Sequence, residues 1–215
     1  MNFSRRTALA ALSVFALAAC GGSGGGSGPV IEDTGDLGHS IGSEDAPVQL
    51  IEYASPTCPA CKYWHDEIHP VIMENYVETG KVRFIFREYP LHSPDVPAYL
   101  IAMCAGEEKY FDVLDDLFEH QSGVINAAEN GVLPEALLTI GKRHGIEDEA
   151  AFNACQSNRA LRNRMADTYQ TAEQYGVTGT PTFVVNGQMR QYTEMNSVER
   201  VTEALDAALA AAESQ

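Results

Sequence analysis

Positive charge is scarce in this sequence: 14 Lys and Arg stand against 30 Asp and Glu, a formal net charge of −16 over 215 residues. Neutralising a phosphate backbone requires clustered Lys and Arg, so this balance excludes nucleic acid as a partner and speaks mainly to solubility. Cysteine is also sparse, five in all, and only Cys58 and Cys61 lie close together in sequence. A zinc site usually wants a second pair or a Cys/His partner at compact spacing, whereas Cys104 and Cys155 stand alone. His65 and His69, at i and i+4, could supply nitrogen, but their face has no carboxylate arrangement typical of a metal site and His69 precedes a kinking Pro70. No metal and no cofactor are therefore expected. No internal repeat is visible, and the six Met form no stripe. The apolar run Ala8 to Ala19 stops well short of the ~20 residues that span a bilayer. What remains is a hydrophobic fraction of 45% with 8% aromatics, enough for one large domain or a small fold carrying an inserted subdomain.

The first residues have the three parts of an export signal over 1–19: basic Arg5 and Arg6, the apolar run, and small residues before Cys20. Gly21 to Gly28 (GGSGGGSG) has no side chains to pack and behaves as flexible coil. Leu17-Ala18-Ala19-Cys20 resembles the bacterial lipobox. That resemblance implies cleavage before Cys20 and its acylation, so that residues 20–38 are a lipid-anchor cysteine and linker, and the chain sits in the periplasm or cell envelope on a membrane. The other reading is an ordinary secretory signal with a chance cysteine. Ser4-Arg5-Arg6 is similar, in part, to a twin-arginine signal. Cys20 lacks a following Asp, so the resemblance does not favour inner-membrane retention, and the leaflet stays open.

Residues 29–46 read as polar and turn-rich. Val48 to Ala54 reads as a buried strand and Lys81 to Tyr89 as a second one. Between them, Pro59 to about Thr79 reads as a helix, kinked at Pro70, with Trp64, Ile68, Ile72 and Tyr76 on one face. Helical periodicity then recurs in Tyr99–Cys104, Phe111–Gln121, Pro134–His144, Ala150–Gln156 and Ala160–Tyr175, a helical insertion over about 93–175. Thr182 to Val185 returns to strand, Asn186-Gly187 is a strong hairpin signal, Gln188 to Tyr192 follows, and Ser197 to about Ala212 is an amphipathic helix. His39, His92, His120 and His144 read as ordinary surface or core residues.

Cys58-Pro59-Ala60-Cys61 falls after a buried strand and at a helix start, where free N–H groups and the helix dipole favour a thiolate. A redox dithiol is the chemistry that placement suits. The element order, the Cys-Pro-Ala-Cys motif, the stretch Arg87-Glu88-Tyr89-Pro90-Leu91 and the run from Gly176 through Thr180-Pro181 to Gly187 together resemble the DsbA-like thiol–disulfide oxidoreductases of the thioredoxin superfamily. The resemblance spans residues 39–212 and implies an α/β thioredoxin fold with an inserted helical subdomain. It implies that Cys58 is the attacked sulfur and Cys61 the leaving one, that Pro181 is cis and faces the dithiol, and that the backbone of Thr180 pairs with a substrate strand. Glu52 is implied to be a buried carboxylate that exchanges a proton with Cys61, against the plainer reading of a solvent-facing edge glutamate. Cys104 and Cys155 either pair as a structural disulfide, the favoured reading, or stay separate as small buried apolar residues. DsbA-type oxidants carry a histidine where Ala60 stands, so a less extreme potential is expected. The favoured function is oxidation of reduced exported proteins by a monomeric, membrane-anchored enzyme, with a DsbB-type membrane partner. The alternatives are a reductase or isomerase running the same chemistry in reverse, and a lipoprotein holding a soft metal such as Cu(I) on the two thiols.

Overall fold

The computed structural model describes residues 37–214; the signal, Cys20 and the Gly/Ser stretch lie outside the described residues. Apolar residues concentrate in three sheet segments, which sets the centre of the fold. Strand β2 (Val48–Ala54) lies parallel to β3 (Val82–Glu88) and antiparallel to β4 (Thr182–Val185). The edges are β1 (His39–Ile41), antiparallel to β3, and β5 (Gln188–Arg190), antiparallel to β4, giving the order β1-β3-β2-β4-β5. A central strand covered on both faces should be apolar throughout rather than alternating, and six of the seven β2 residues are buried. One face, with Val48, Leu50 and Ala54, joins the main core with Trp64, Phe86 and Phe183. The other, with Ile51, Tyr53, Ile85 and Val184, packs on Ala172, Tyr175 and Val177.

The helix after β2 breaks as Pro70 requires. Helix α1 (Pro59–Glu67) ends at Ile68, α2 (His69–Ile72) follows, and a π-helical turn (Met73–Val77) completes the passage. Proline has no N–H to bond to the preceding turn and its ring crowds the carbonyl four residues back. Trp64, Ile68, Ile72 and Tyr76 are all buried, the common face read from their spacing.

Between β3 and β4 run α3 (Asp95–Ala105), α4 (Tyr110–Glu119), α5 (Gln121–Glu129), α6 (Leu133–Arg143), α7 (Glu149–Gln156) and α8 (Arg159–Tyr175), and α9 (Val198–Glu213) closes the described chain. Three local expectations change. The turn-rich stretch 29–46 holds β1. The single helix expected over Phe111–Gln121 ends at Glu119, and a new helix, α5, starts at Gln121, the last residue of that expected helix. The strand after the hairpin stops at Arg190, followed by a 3-10 turn at Tyr192–Glu194. In β3 even the charged Arg87 and Glu88 are buried, since the sheet is covered on both sides. Arg87 is satisfied inside by the Tyr53 hydroxyl at 2.8 Å and the Leu37 carbonyl at 3.1 Å. His39 is likewise interior, stacked on Tyr110 with ring centroids 3.4 Å apart.

Within the insertion, a disulfide joins Cys104 of α3 to Cys155 of α7, with Cα atoms 5.8 Å apart. Arg143 of α6 grips Asp116 of α4 through two bonds of 2.8 and 2.6 Å, and His144 adds a third at 2.8 Å. Among the described residues no helix is long and apolar enough to cross a membrane.

Candidate active site

Cys58 is the residue that caps α1. Its backbone is extended (φ −81°, ψ 120°), and its sulfur accepts from the Cys61 N–H at 3.4 Å. Pro59 follows at the first helical position, where a missing N–H costs nothing. Both Cys58 and Cys61 are reduced; Cys61 is fully buried, whereas Cys58 keeps 6% of its surface exposed. The sulfur that a substrate can reach is therefore that of Cys58.

The two thiols differ in acidity. Cys58 is pushed down to about 6, chiefly by the hydrogen bond from the Cys61 thiol; burial opposes this, and Thr180 and the Ala60 and Cys61 backbone reinforce it. Sequence reasoning assigned this stabilisation to the helix terminus, but the partner thiol contributes most. Cys61 is pushed up, first by burial and then by its hydrogen bond to Cys58, with the Glu52 and Cys58 charges adding to both. At neutral pH the reduced pair is thus a thiolate hydrogen-bonded by a thiol.

Three further expected residues lie near this pair. The Thr180–Pro181 peptide bond is cis, and the Cys58 sulfur lies 3.4 Å from the Thr180 carbonyl oxygen. Glu52, on β2, is 4% exposed and opposite Phe86 and Phe183 in the sheet, so it is not an edge residue. One of its carboxyl oxygens has no hydrogen-bond partner, and burial, then the Cys58 charge, pushes its pKa well up. Burial thus favours the protonated form of this carboxyl. Cys104 and Cys155, by contrast, belong to the insertion. His65 and His69 stack on each other, and burial lowers His69 to about 4. The ligand-spaced group among the described residues is instead Asp116, Glu119 and His120, where Arg143 already clamps Asp116.

Two residues missed by sequence reasoning hold the loop before the dithiol. Asp95, fully buried at the start of α3, accepts from the Thr57 hydroxyl at 2.6 Å and the Ser55 hydroxyl at 2.9 Å. It also accepts from the backbone N–H groups of Leu91 at 2.7 Å and His92 at 2.9 Å. Gln121, at the start of α5, donates its amide to the carbonyls of Pro56 at 2.9 Å and Cys58 at 3.0 Å. The sequence held a faint signal for Asp95, an acid directly after Ser93-Pro94 at the head of an apolar run. It held none for Gln121, which sat inside an apparent helix.

A family model described as Thioredoxin matches residues 34–207. The chain belongs to the thioredoxin family. Within that family its fold is DsbA-like: alpha-DsbA1 of Wolbachia pipientis superposes with a TM-score of 0.68 at 24% identity, covering 80% of this chain and 91% of that one. A Rickettsia typhi protein carrying the name protein-disulfide oxidoreductase is 31% identical over 169 residues, which are 79% of this chain and 61% of that protein. A Bacillus cereus protein named for disulfide bond formation is 25% identical over 158 residues, 70% of each chain. The chain thus spans about three-fifths of the length of the rickettsial relative.

Proposed function

We propose that this chain is an extracytoplasmic thiol–disulfide oxidoreductase that oxidises dithiols in reduced exported proteins. A substrate thiolate attacks Cys58 of the disulfide form, the Cys58–Cys61 bond breaks, and Cys61 leaves with the electron pair and takes a proton from Glu52. A second substrate thiolate then attacks its own half of the mixed disulfide. The substrate disulfide departs, Cys58 is released as a thiolate, and two electrons stay on the pair. Thr180 and Pro181 form the bank along which the substrate backbone pairs. A DsbB-type membrane partner would remove the electrons, Cys20 would carry the lipid that keeps the enzyme at the envelope, and the Cys104–Cys155 disulfide would brace the insertion.

The observation that carries this reading is the split between the two thiols, Cys58 at about 6 and Cys61 raised. A stabilised thiolate favours the reduced pair and so makes the disulfide the better oxidant. The test is the reduction potential of the pair against glutathione. With Ala60 in place of an imidazole, it is expected between the about −120 mV of DsbA and the about −270 mV of thioredoxin. A value at or below the thioredoxin figure overturns the oxidase direction and favours the same chemistry in reverse.

A further inference from the structure

Beside Cys58 lies a cleft of about 550 Å3 walled by Thr57, Pro59, His92, Pro94, Ile125 and Ala128. That volume is in the range of sites that hold a ligand's side chains. None of the lining residues comes from the Thr180–Pro181 loop, so this is a second bank of the active site.

Its three walls are fastened to one another by buried polar groups. Asp95 joins the first wall (Ser55, Thr57) to the second (Leu91, His92) through the four bonds given above. Gln121 ties the third, helix α5, to the carbonyls of Pro56 and Cys58. His92 Nδ1 lies 2.8 Å from the Thr57 hydroxyl oxygen. The Thr57 proton is committed to Asp95, so the imidazole donates to the Thr57 hydroxyl from Nδ1. A cleft held this way is preorganised, and its occupant is spared the cost of ordering it.

We propose that the cleft receives the stretch of the substrate polypeptide next to its reacting cysteine, with an apolar side chain on Pro59, Pro94, Ile125 and Ala128 and a basic one at Glu129 on the rim. The proposal rests on the oxidoreductase reading above and names its substrate preference. Two observations select this occupant. Thr57 and Pro59 flank Cys58, and neighbouring Cα atoms are about 3.8 Å apart, so a chain joined to the sulfur passes over the cleft within a residue or two; side chains two positions apart in an extended segment share a face. The charge is complementary as well. Glu129 lines the cleft and no Lys or Arg does, on a chain of net charge −16.

The test uses dithiol peptides that differ only two positions from the reacting cysteine (Leu or Ser) and one position beyond (Lys or Glu). Each rate of exchange with Cys58 is divided by the rate of the same protein with dithiothreitol. An apolar pocket discriminates by about tenfold or more, so Leu should exceed Ser by about that factor, and Lys should exceed Glu. Ala128→Phe, which fills the cleft, should bring the Leu/Ser ratio to about one. Glu129→Lys, on the exposed rim, should invert the Lys/Glu preference and keeps the proposal testable should Ala128→Phe not fold. Ratios of one in the unaltered protein, or a tenfold ratio surviving in Ala128→Phe, overturn the cleft assignment while leaving the oxidoreductase reading in place. A protein inert toward every peptide and toward dithiothreitol overturns the oxidoreductase reading, and this inference with it.

Discussion

The acidity of Cys58 fixes how the potential of the pair must move with pH. With its thiol at about 6 and that of Cys61 raised, reducing the disulfide takes up two protons below pH 6 and one above it. For a two-electron couple each proton is a factor of ten per pH unit, about 30 mV. The potential should therefore fall by about 59 mV per unit below pH 6 and by about 30 mV per unit above it. Relative to a thiol titrating at 9, the thiolate favours the reduced pair about elevenfold at pH 7, roughly 1.4 kcal/mol or 30 mV. Equilibration in glutathione buffers from pH 4.5 to 8.5 would give the curve. Trp64 reports the redox state, being the sole tryptophan and lying three residues after Cys61 with its ring centroid 4.9 Å from that of Phe183. A single steep slope continuing to pH 8 would refute the assignment of the thiolate to Cys58. The cause can be checked separately. Cys61→Ser keeps a donor to the thiolate and Cys61→Ala does not. A hydrogen bond to a charged group contributes about 1.5–3 kcal/mol, so Cys58 in Cys61→Ala should titrate about 1–2 pH units above Cys58 in Cys61→Ser, as followed by thiolate absorbance.

Three further outcomes are expected. Glu52 has a folded pKa above its unfolded value, so it binds more protons folded than unfolded, and stability falls as pH rises from about 4.3 through the raised value. Glu52→Gln should flatten that fall in urea titrations between pH 4 and 8 and slow turnover on peptide dithiols by about 100-fold; an unchanged rate would remove Glu52 from proton transfer. Replacing both Cys104 and Cys155 by Ala opens a loop with a separation of 51 residues, which chain entropy values at about 4 kcal/mol; denaturant midpoints should drop accordingly, while the potential of Cys58 and Cys61 stays within about 10 mV of its starting value, about a twofold change in equilibrium constant at most. Asp95→Asn keeps acceptors for the Leu91 and His92 amides but loses the charge that four donors share, a cost of about 1.5–3 kcal/mol per weakened charged bond. Here the telling readout is a shifted Cys58 titration, which a purely structural effect would not produce.

Much of this fold could be read from local pattern. The apolar run Val48–Ala54, the face marked by Trp64, Ile68, Ile72 and Tyr76, and the Asn186-Gly187 turn each follow from spacing or turn chemistry. Asn186 and Gly187 do adopt positive φ, 44° and 77°, as such a turn demands. The missed elements lacked that local signature. Strand β1 is three residues long at a sheet edge, too short for a period to show. Helix α5 begins two residues after α4 ends, so its start was absorbed into the preceding periodicity. The two thiols were legible as a pair because Cys58 and Cys61 are neighbours on one turn. Their supports were not, because Asp95 meets Ser55 and Thr57 across 40 and 38 residues, and Gln121 meets Pro56 and Cys58 across 65 and 63. One-dimensional spacing says nothing about such pairs.

Gln121 carries a consequence for how this molecule can be taken apart. Its amide spans the boundary between the helical insertion and the sheet-based frame, and it ends on the carbonyl of Cys58 itself. Excising the helices between β3 and β4 to obtain a minimal redox module would remove Asp95 and Gln121 together, leaving the Ser55–Cys58 loop without its outside anchors. The helical block is therefore a chassis member rather than an accessory. A graft of the Cys-Pro-Ala-Cys segment into another scaffold would need to bring both tethers along.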